Sequence, residues 1–149
     1  MADSAGEFGD RSLAITDDLM LKYAGTHAWA MRLADGLIAS GIRPGDHVGL
    51  IVANHLEFVP LKFAIAAAGA IAVPFDYVYR QDGLAYVFAQ SGCSVLITMT
   101  SFGDLDYPAM LDAIALGWAN GSSEKLPSLP RGQPGCFLQG LRAPLVGAR

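Results

Sequence analysis

Hydrophobic and polar positions change period several times along the chain, and the period is the main clue to the elements. Val48, Leu50, Ile51 and Val52 form an apolar run without polar alternation, which suits a strand buried on both faces. Gly45-Asp46 ahead of it is turn chemistry, and Pro44 fixes φ just before. From Leu56 to Ala68 the chain is almost continuously apolar, with only Glu57 and Lys62 charged. That stretch is too long for one strand, and Gly69 is well placed to end a helix. Pro60 inside it removes a helical hydrogen bond, so the helix either starts late or kinks there. Ile71, Ala72 and Val73 then read as a second strand closed by Pro74, which cannot donate to a ladder. Strand, helix and strand make a βαβ unit, whose right-handed crossover makes the strands parallel.

The same reading extends both ways. Residues 1–12 look like a flexible polar arm. Leu13–Thr16 and Leu19–Tyr23 are short strand candidates for a hairpin around Asp17-Asp18. Residues 24–40 predict a helix, with Ala30, Leu33, Ala34 and Leu37 as its core-facing stripe, Trp29 and Met31 flanking it, and Gly41 as its stop. After a loop over Asp76–Gln81, Leu84, Val87, Phe88 and Ser91 share one face of a further helix that Gly92 ends. The middle of the chain thus reads β(47–53), α(56–68), β(70–74), α(82–91), β(94–98). This is an α/β fold with a partial, open, mainly parallel sheet and flanking helices. Tyr107–Gly117 has helical spacing, with Asp104 and Asp106 at its head, where carboxylates suit the dipole. Gly121–Pro130 is a Ser/Pro-rich loop. Residues 13–129 are expected to form an incomplete subdomain. Residues 130–149, with Pro130, Pro134, Pro144 and four glycines, are expected to be an irregular tail outside the fold.

Composition refines this picture. A chain of 149 residues is one domain in size and can bury roughly 70% of its unfolded surface. With 52% hydrophobic and 16% charged residues it is not a disordered chain. A net charge of −4, with no Lys/Arg cluster, argues against nucleic-acid binding. All 14 acids precede residue 130, whereas the tail holds only Arg131, Arg142 and Arg149 as charges. A shift of reading frame near codon 130 would give such a composition. Cys93 and Cys136 lack CxxC spacing, so a reduced, cytoplasmic chain is expected rather than a disulfide or zinc framework. The acidic N-terminus is not a signal peptide. The most membrane-like run, Phe63–Phe75, spans 13 residues, short of the ~20 that a membrane span needs.

Chemistry is sparse. Neither GxxxxGK[ST] nor GxGxxG occurs. In a βαβ nucleotide fold, phosphate binds at the turn entering the helix, here Ala53-Asn54-His55. Asn54 and His55 suit an anion there, but helix capping by Asn54 is the stronger reading. His27, His47 and His55 show no metal-binding spacing. Cys93 reads as a small buried hydrophobe. Asp104 and Asp106 read as a solvated turn rather than a catalytic pair, and Asn120-Gly-Ser122 is a sequon that matters only on secretion. No catalytic, cofactor-binding or metal residue is assigned.

The ordered set of local motifs nevertheless resembles the adenylate-forming (AMP-binding) acyl-CoA synthetase family. It comprises Leu21-Lys-Tyr-Ala24, Arg32-Leu-Ala34, Gly36-Leu37, Gly41-Ile-Arg-Pro-Gly-Asp46, and Asn54-x-x-Glu57-Phe58-Val59. It continues with Ala68-Gly-Ala70, Val73-Pro74, Leu84-Ala-Tyr-Val87, Ser91-Gly92 and Val95-Leu-Ile-Thr98. Ala109-Met-Leu-Asp112 and Leu126-Pro-Ser-Leu129 are similar to the family's next segment. Arg80 in place of a Thr or Ser cap, Gly83 in place of a Glu, and Pro60 depart from the pattern. The resemblance implies the first part of the N-terminal domain of an enzyme that activates a carboxylic acid with ATP to an acyl-adenylate and passes it to CoA. ATP, Mg and CoA are the cofactors it implies for the full-length family. The Ser/Thr/Gly-rich loop ending in Pro-Lys-Gly, the Thr-Glu motif, the ribose-binding Asp and the mobile-domain lysine have no match here. The fragment alone is therefore expected to bind none of the three and to be inactive. Two alternatives are a non-catalytic module that docks on a full-length homologue or on itself, and a small nucleotide-binding α/β protein.

Overall fold

The computed structural model describes residues 1–17, 19–53, 55–114 and 139–142, the last four by their backbone and Ser94 without its side chain. Helix α1 (Ala2–Glu7) leads into a hairpin of β1 (Ser12–Ile15) and β2 (Met20–Lys22), which pair antiparallel. Helix α2 (Tyr23–Ala39) follows, and then the unit β3 (His47–Ile51), α3 (Phe58–Ala67), β4 (Ile71–Pro74), α4 (Gln81–Ser91) and β5 (Cys93–Thr98). A two-strand ribbon, β6 (Ser101–Phe102) with β7 (Leu105–Asp106), precedes α5 (Tyr107–Ile114). The last described strand is β8 (Gln139–Arg142). The main sheet has the order β4-β3-β5-β8. Its first three strands are parallel, and β8 joins antiparallel to β5.

Alternation along β3 builds two cores. Val48, Leu50 and Val52 face a cluster with Leu33, Ala34 and Leu37 of α2 and Leu61, Ala64 and Ile65 of α3. Ile51 and Ala53 face a second cluster with Leu84 of α4, Leu96 of β5 and Tyr107 and Leu111 of α5. The result is three layers, with α2 and α3 on one face of the sheet and α4 and α5 on the other. Gly49 belongs to the second face. A Cβ there would lie 2.6 Å from the Phe75 ring and 2.8 Å from Leu96 Cδ1, so only glycine leaves room for them.

Local chemistry explains the boundaries. The backbone Arg43-Pro44-Gly45-Asp46 closes on itself through the Asp46 N–H donating to the Arg43 carbonyl at 3.1 Å. With Pro44 second and Gly45 third at φ 87°, this is a type II turn. Helix α3 begins at Phe58, which puts Pro60 in the first turn, where its missing N–H costs no helical bond. The late start, rather than a kink, is the outcome. Both α2 and α3 end in Schellman motifs: Ile42 N–H donates to the Leu37 carbonyl and Ala70 N–H to the Ile65 carbonyl, around Gly41 and Gly69. Helix α4 has Arg80 at its N-cap and no side-chain cap, and it ends at Gly92 in the left-handed conformation. Thr26, fully buried in α2, donates its hydroxyl to the Lys22 carbonyl at 2.8 Å.

Three segments hold structure that the sequence reading does not contain. The arm over 1–12 contains α1, and it is pinned: the Phe8 ring lies 6.5 Å from that of Tyr23, and the Arg11 guanidinium sits 4.8 Å above Phe8. A six-residue helix is too short for its period to be read. The ribbon β6–β7 was not foreseen, because each strand has two residues. In the tail over 130–149, residues 139–142 pair with β5 in the register Val95↔Arg142 to Thr98↔Gln139. A four-residue antiparallel addition needs no crossover helix and leaves no period in the sequence. Asp18, Asn54, residues 115–138, which include the sequon and Cys136, and residues 143–149 lie outside the described residues.

Candidate functional site at the carboxyl edge of the sheet

The chain leaves β3 for β4 on one side and then crosses back past β3 to β5 on the other. In open α/β sheets the crevice between strands where the winding reverses is where ligands bind, outside the carboxyl ends. Here that crevice lies between the ends of β3 and β5, beside the loop that leaves β4.

Met99, the residue after β5, closes it. Its N–H donates to the Ile51 carbonyl at 3.0 Å, and its sulfur accepts the Ala53 N–H at 3.2 Å. The Met99 side chain is buried in the second cluster. At the turn after β3, the His55 N–H returns to the Ala53 carbonyl at 2.6 Å. Asn54, the candidate cap, is outside the described residues.

The neighbouring loops are tied down in the same way. Phe75 N–H donates to the Leu50 carbonyl, and Asp76 Oδ1 accepts the Val78 N–H at 3.1 Å. Tyr107 donates its hydroxyl to the Tyr77 carbonyl at 2.5 Å, and its N–H to the Thr100 carbonyl at 3.1 Å. Burial, helped by the nearby Asp76 carboxylate and Tyr77, pushes the Tyr107 hydroxyl up to about 12. The Tyr77 and Phe102 rings meet edge-on at 4.8 Å. Arg80 bonds Asp104 at 2.9 Å, a pair exposed to solvent; that bond and the guanidinium charge hold the Asp104 carboxyl below its ordinary value.

The other candidates are not brought together. His47 opens β3 and His55 lies past its far end, while His27 is on α2. His47 Nδ1 lies 2.7 Å from the Ser91 carbonyl, at the end of α4. Asp106 accepts the Ala109 N–H at 3.0 Å and so caps α5, whereas Asp104 faces Arg80; the two acids have separate structural tasks. Cys93 is half-buried in the second cluster, and burial pushes its thiol up, opposite to what a nucleophile needs. Among the described residues, no group of three His, Cys, Asp or Glu could hold a metal ion, and no helix is long and apolar enough to cross a membrane.

A nucleotide phosphate at this turn would need free backbone donors, and Ala53 and His55 have already spent theirs on Met99 and Ala53. Asp76, Asp104 and Asp106 are likewise engaged and do not converge. At this turn the described N–H donors are taken up by the fold, and no catalytic step is routed through them. What the edge does is fix three loops against one another. Met99 and Tyr107 carry that work and were not singled out for it in the sequence; the one local signal for Met99 is its place directly after an apolar strand.

Residues 1–131 match the family described as AMP-binding enzyme. The chain is similar to triostin synthetase I of Streptomyces triostinicus, with 38% identity over 105 residues, 70% of this chain and 20% of that protein. It is also similar to a long-chain-fatty-acid–CoA ligase of Mycobacterium tuberculosis, 38% identical over 80 residues, 54% of this chain and 16% of the ligase. In fold it matches the O-succinylbenzoate coenzyme A synthetase of Bacillus subtilis in complex with ATP and magnesium ion. The TM-score there is 0.67 at 24% identity, over 76% of this chain and 30% of that one. The chain thus spans 16–20% of the length of these two curated relatives. Matched by that family over residues 1–131, the chain belongs to the AMP-binding enzyme family.

Proposed function

We propose that residues 13–129 are a scaffold portion of the N-terminal domain of an ATP-dependent, AMP-forming acid–thiol ligase. Such an enzyme activates a carboxylic acid as its acyl-adenylate and then forms a thioester with CoA. We propose further that this chain alone does not catalyse adenylation. The observation that carries the second statement is the closed β3–β5 crevice, where the Ala53 N–H is held by Met99. A site that must neutralise a pyrophosphate leaving group needs donors and cations aimed at it, and here the donors serve the fold. Cytoplasm, where ATP and CoA are available, is the compartment this reading implies.

The test is ATP–pyrophosphate exchange with pure protein, offered a panel of aliphatic and aromatic acids. Fatty acids belong in the panel because one relative is a long-chain-fatty-acid–CoA ligase. The expected result is exchange at the no-enzyme background; exchange above it with any acid would overturn the proposal of inactivity.

A second reading, docking on a larger homologous synthetase, is favoured by the outer side of α3. Phe63, Ala66 and Ala67 are exposed there, and Ile71 on the neighbouring β4 edge is 49% exposed. Co-elution with such a synthetase in gel filtration, lost in a Phe63→Lys variant, is its expected signature.

A further inference from the structure

We infer that the outer edge of β5 is a strand-addition site that the chain fills in cis with its own Gln139–Arg142 segment, so that β8 is a cap on the sheet. Strand β5 has one edge on β3, in parallel register from Val48↔Val95 to Ile51↔Thr98, and the other on β8. Its residues Val95, Leu96, Ile97 and Thr98 are all buried, and the first three serve the cores on both faces. A strand so committed cannot carry the outward lysines that protect ordinary edges from pairing with other chains. The opposite edge differs, since β4 is short and ends in Pro74, which offers no N–H. On β5 the protection has to come from another backbone.

The segment that supplies it suits the task. Strand β8 is antiparallel in an otherwise parallel sheet, the orientation that needs no crossover helix. Gly140 lies opposite Ile97 in the middle of the register and contributes backbone alone. Recognition is then by main-chain hydrogen bonds, the mode in which an extended peptide adds to an open sheet edge. Remove β8, and the same edge will pair with a second copy of the chain.

Two measurements test this. The first compares the full chain with one ending at residue 138 by light scattering on a gel-filtration column. The full chain is expected to be monomeric and the shortened chain dimeric or larger at the same concentration. A shortened chain that stays monomeric, or a full chain already oligomeric, overturns the inference. The second uses the full chain, so it stands even if the shortened one does not fold. In Leu141→Pro, the β5 amides that point toward β8 should exchange hydrogen at least ten-fold faster, while those that point toward β3 keep their rates. Unchanged rates throughout Val95–Thr98, or outward amides that already exchange freely in the unaltered protein, overturn it as well.

Discussion

Tyr107 ties more of the second face together than its place at the head of a helix reveals. Its ring is buried, its hydroxyl holds the Tyr77 carbonyl 30 residues away, and its N–H holds Thr100. In the folded chain its hydroxyl is raised from 10.0 to about 12, first by burial and then by Asp76 and Tyr77. A raised acid favours its neutral form on folding. The contribution is therefore complete below the unfolded value of 10.0 and is lost as pH climbs toward about 12. Urea unfolding should show the unaltered protein losing stability over that window faster than Tyr107→Phe. At neutral pH the variant should be weaker by about 0.5–1.5 kcal/mol for the lost hydrogen bond. Parallel pH curves would mean that another group titrates. Helical spacing put Tyr107 in the sequence reading, but a partner so distant in the chain leaves no local trace. Gly49 was hidden for the same reason: within the apolar run it looks like a gap, and only Phe75, just after β4, and Leu96 of β5 show why nothing larger fits.

Among the elements, those with a clear period or flanking turn residues were legible, the short strands β1, β2 and β4 included, whereas α1, β6, β7 and β8 were not. The stripe Ala30, Leu33, Ala34, Leu37 is buried as its spacing requires, and Gly41, Gly69 and Gly92 each take a positive φ at a helix end. No apolar run marks those four, which are set by pairing or packing partners elsewhere in the chain. The stripe yields a direct test. Leu33 is 3% exposed between α2 and the first core, so Leu33→Asp places an uncompensated carboxylate there. Its cost should exceed the ~2–5 kcal/mol typical of truncating a buried leucine to alanine. Circular dichroism should find the variant largely unfolded at room temperature. A melting curve like that of the unaltered protein would show that α2 does not pack on β3 as described.

For the molecule as a whole, the ordered set of local motifs was enough to suggest the family, and the alternation of strands and helices pointed to the turn after β3, but the reversal between β3 and β5 emerged only with the strand order. What fills the crevice was not legible, since Met99 reaches it from just beyond β5, 46 residues after Ala53. The two cores look separate, one under α2 and α3 and the other under α4 and α5, yet β3 supplies alternate residues to both. A strand cannot leave one core and keep its place in the other, because its pleat fixes both sets of side chains at once. The described α/β unit should therefore unfold in one step, with β3 as the shared member. Hydrogen exchange in Leu37→Ala tests this from the far side of the sheet. Leu37 is 1% exposed in the first core, and its truncation should destabilise by about 2–5 kcal/mol. If the unit is cooperative, the slowest amides of α4, whose Leu84, Val87 and Phe88 pack in the second core, must speed up by the same factor as those of β3 and α2. Rates in α4 that stay at their original values while α2 accelerates would mean that the two faces open independently, and that β3 can be released from one side alone.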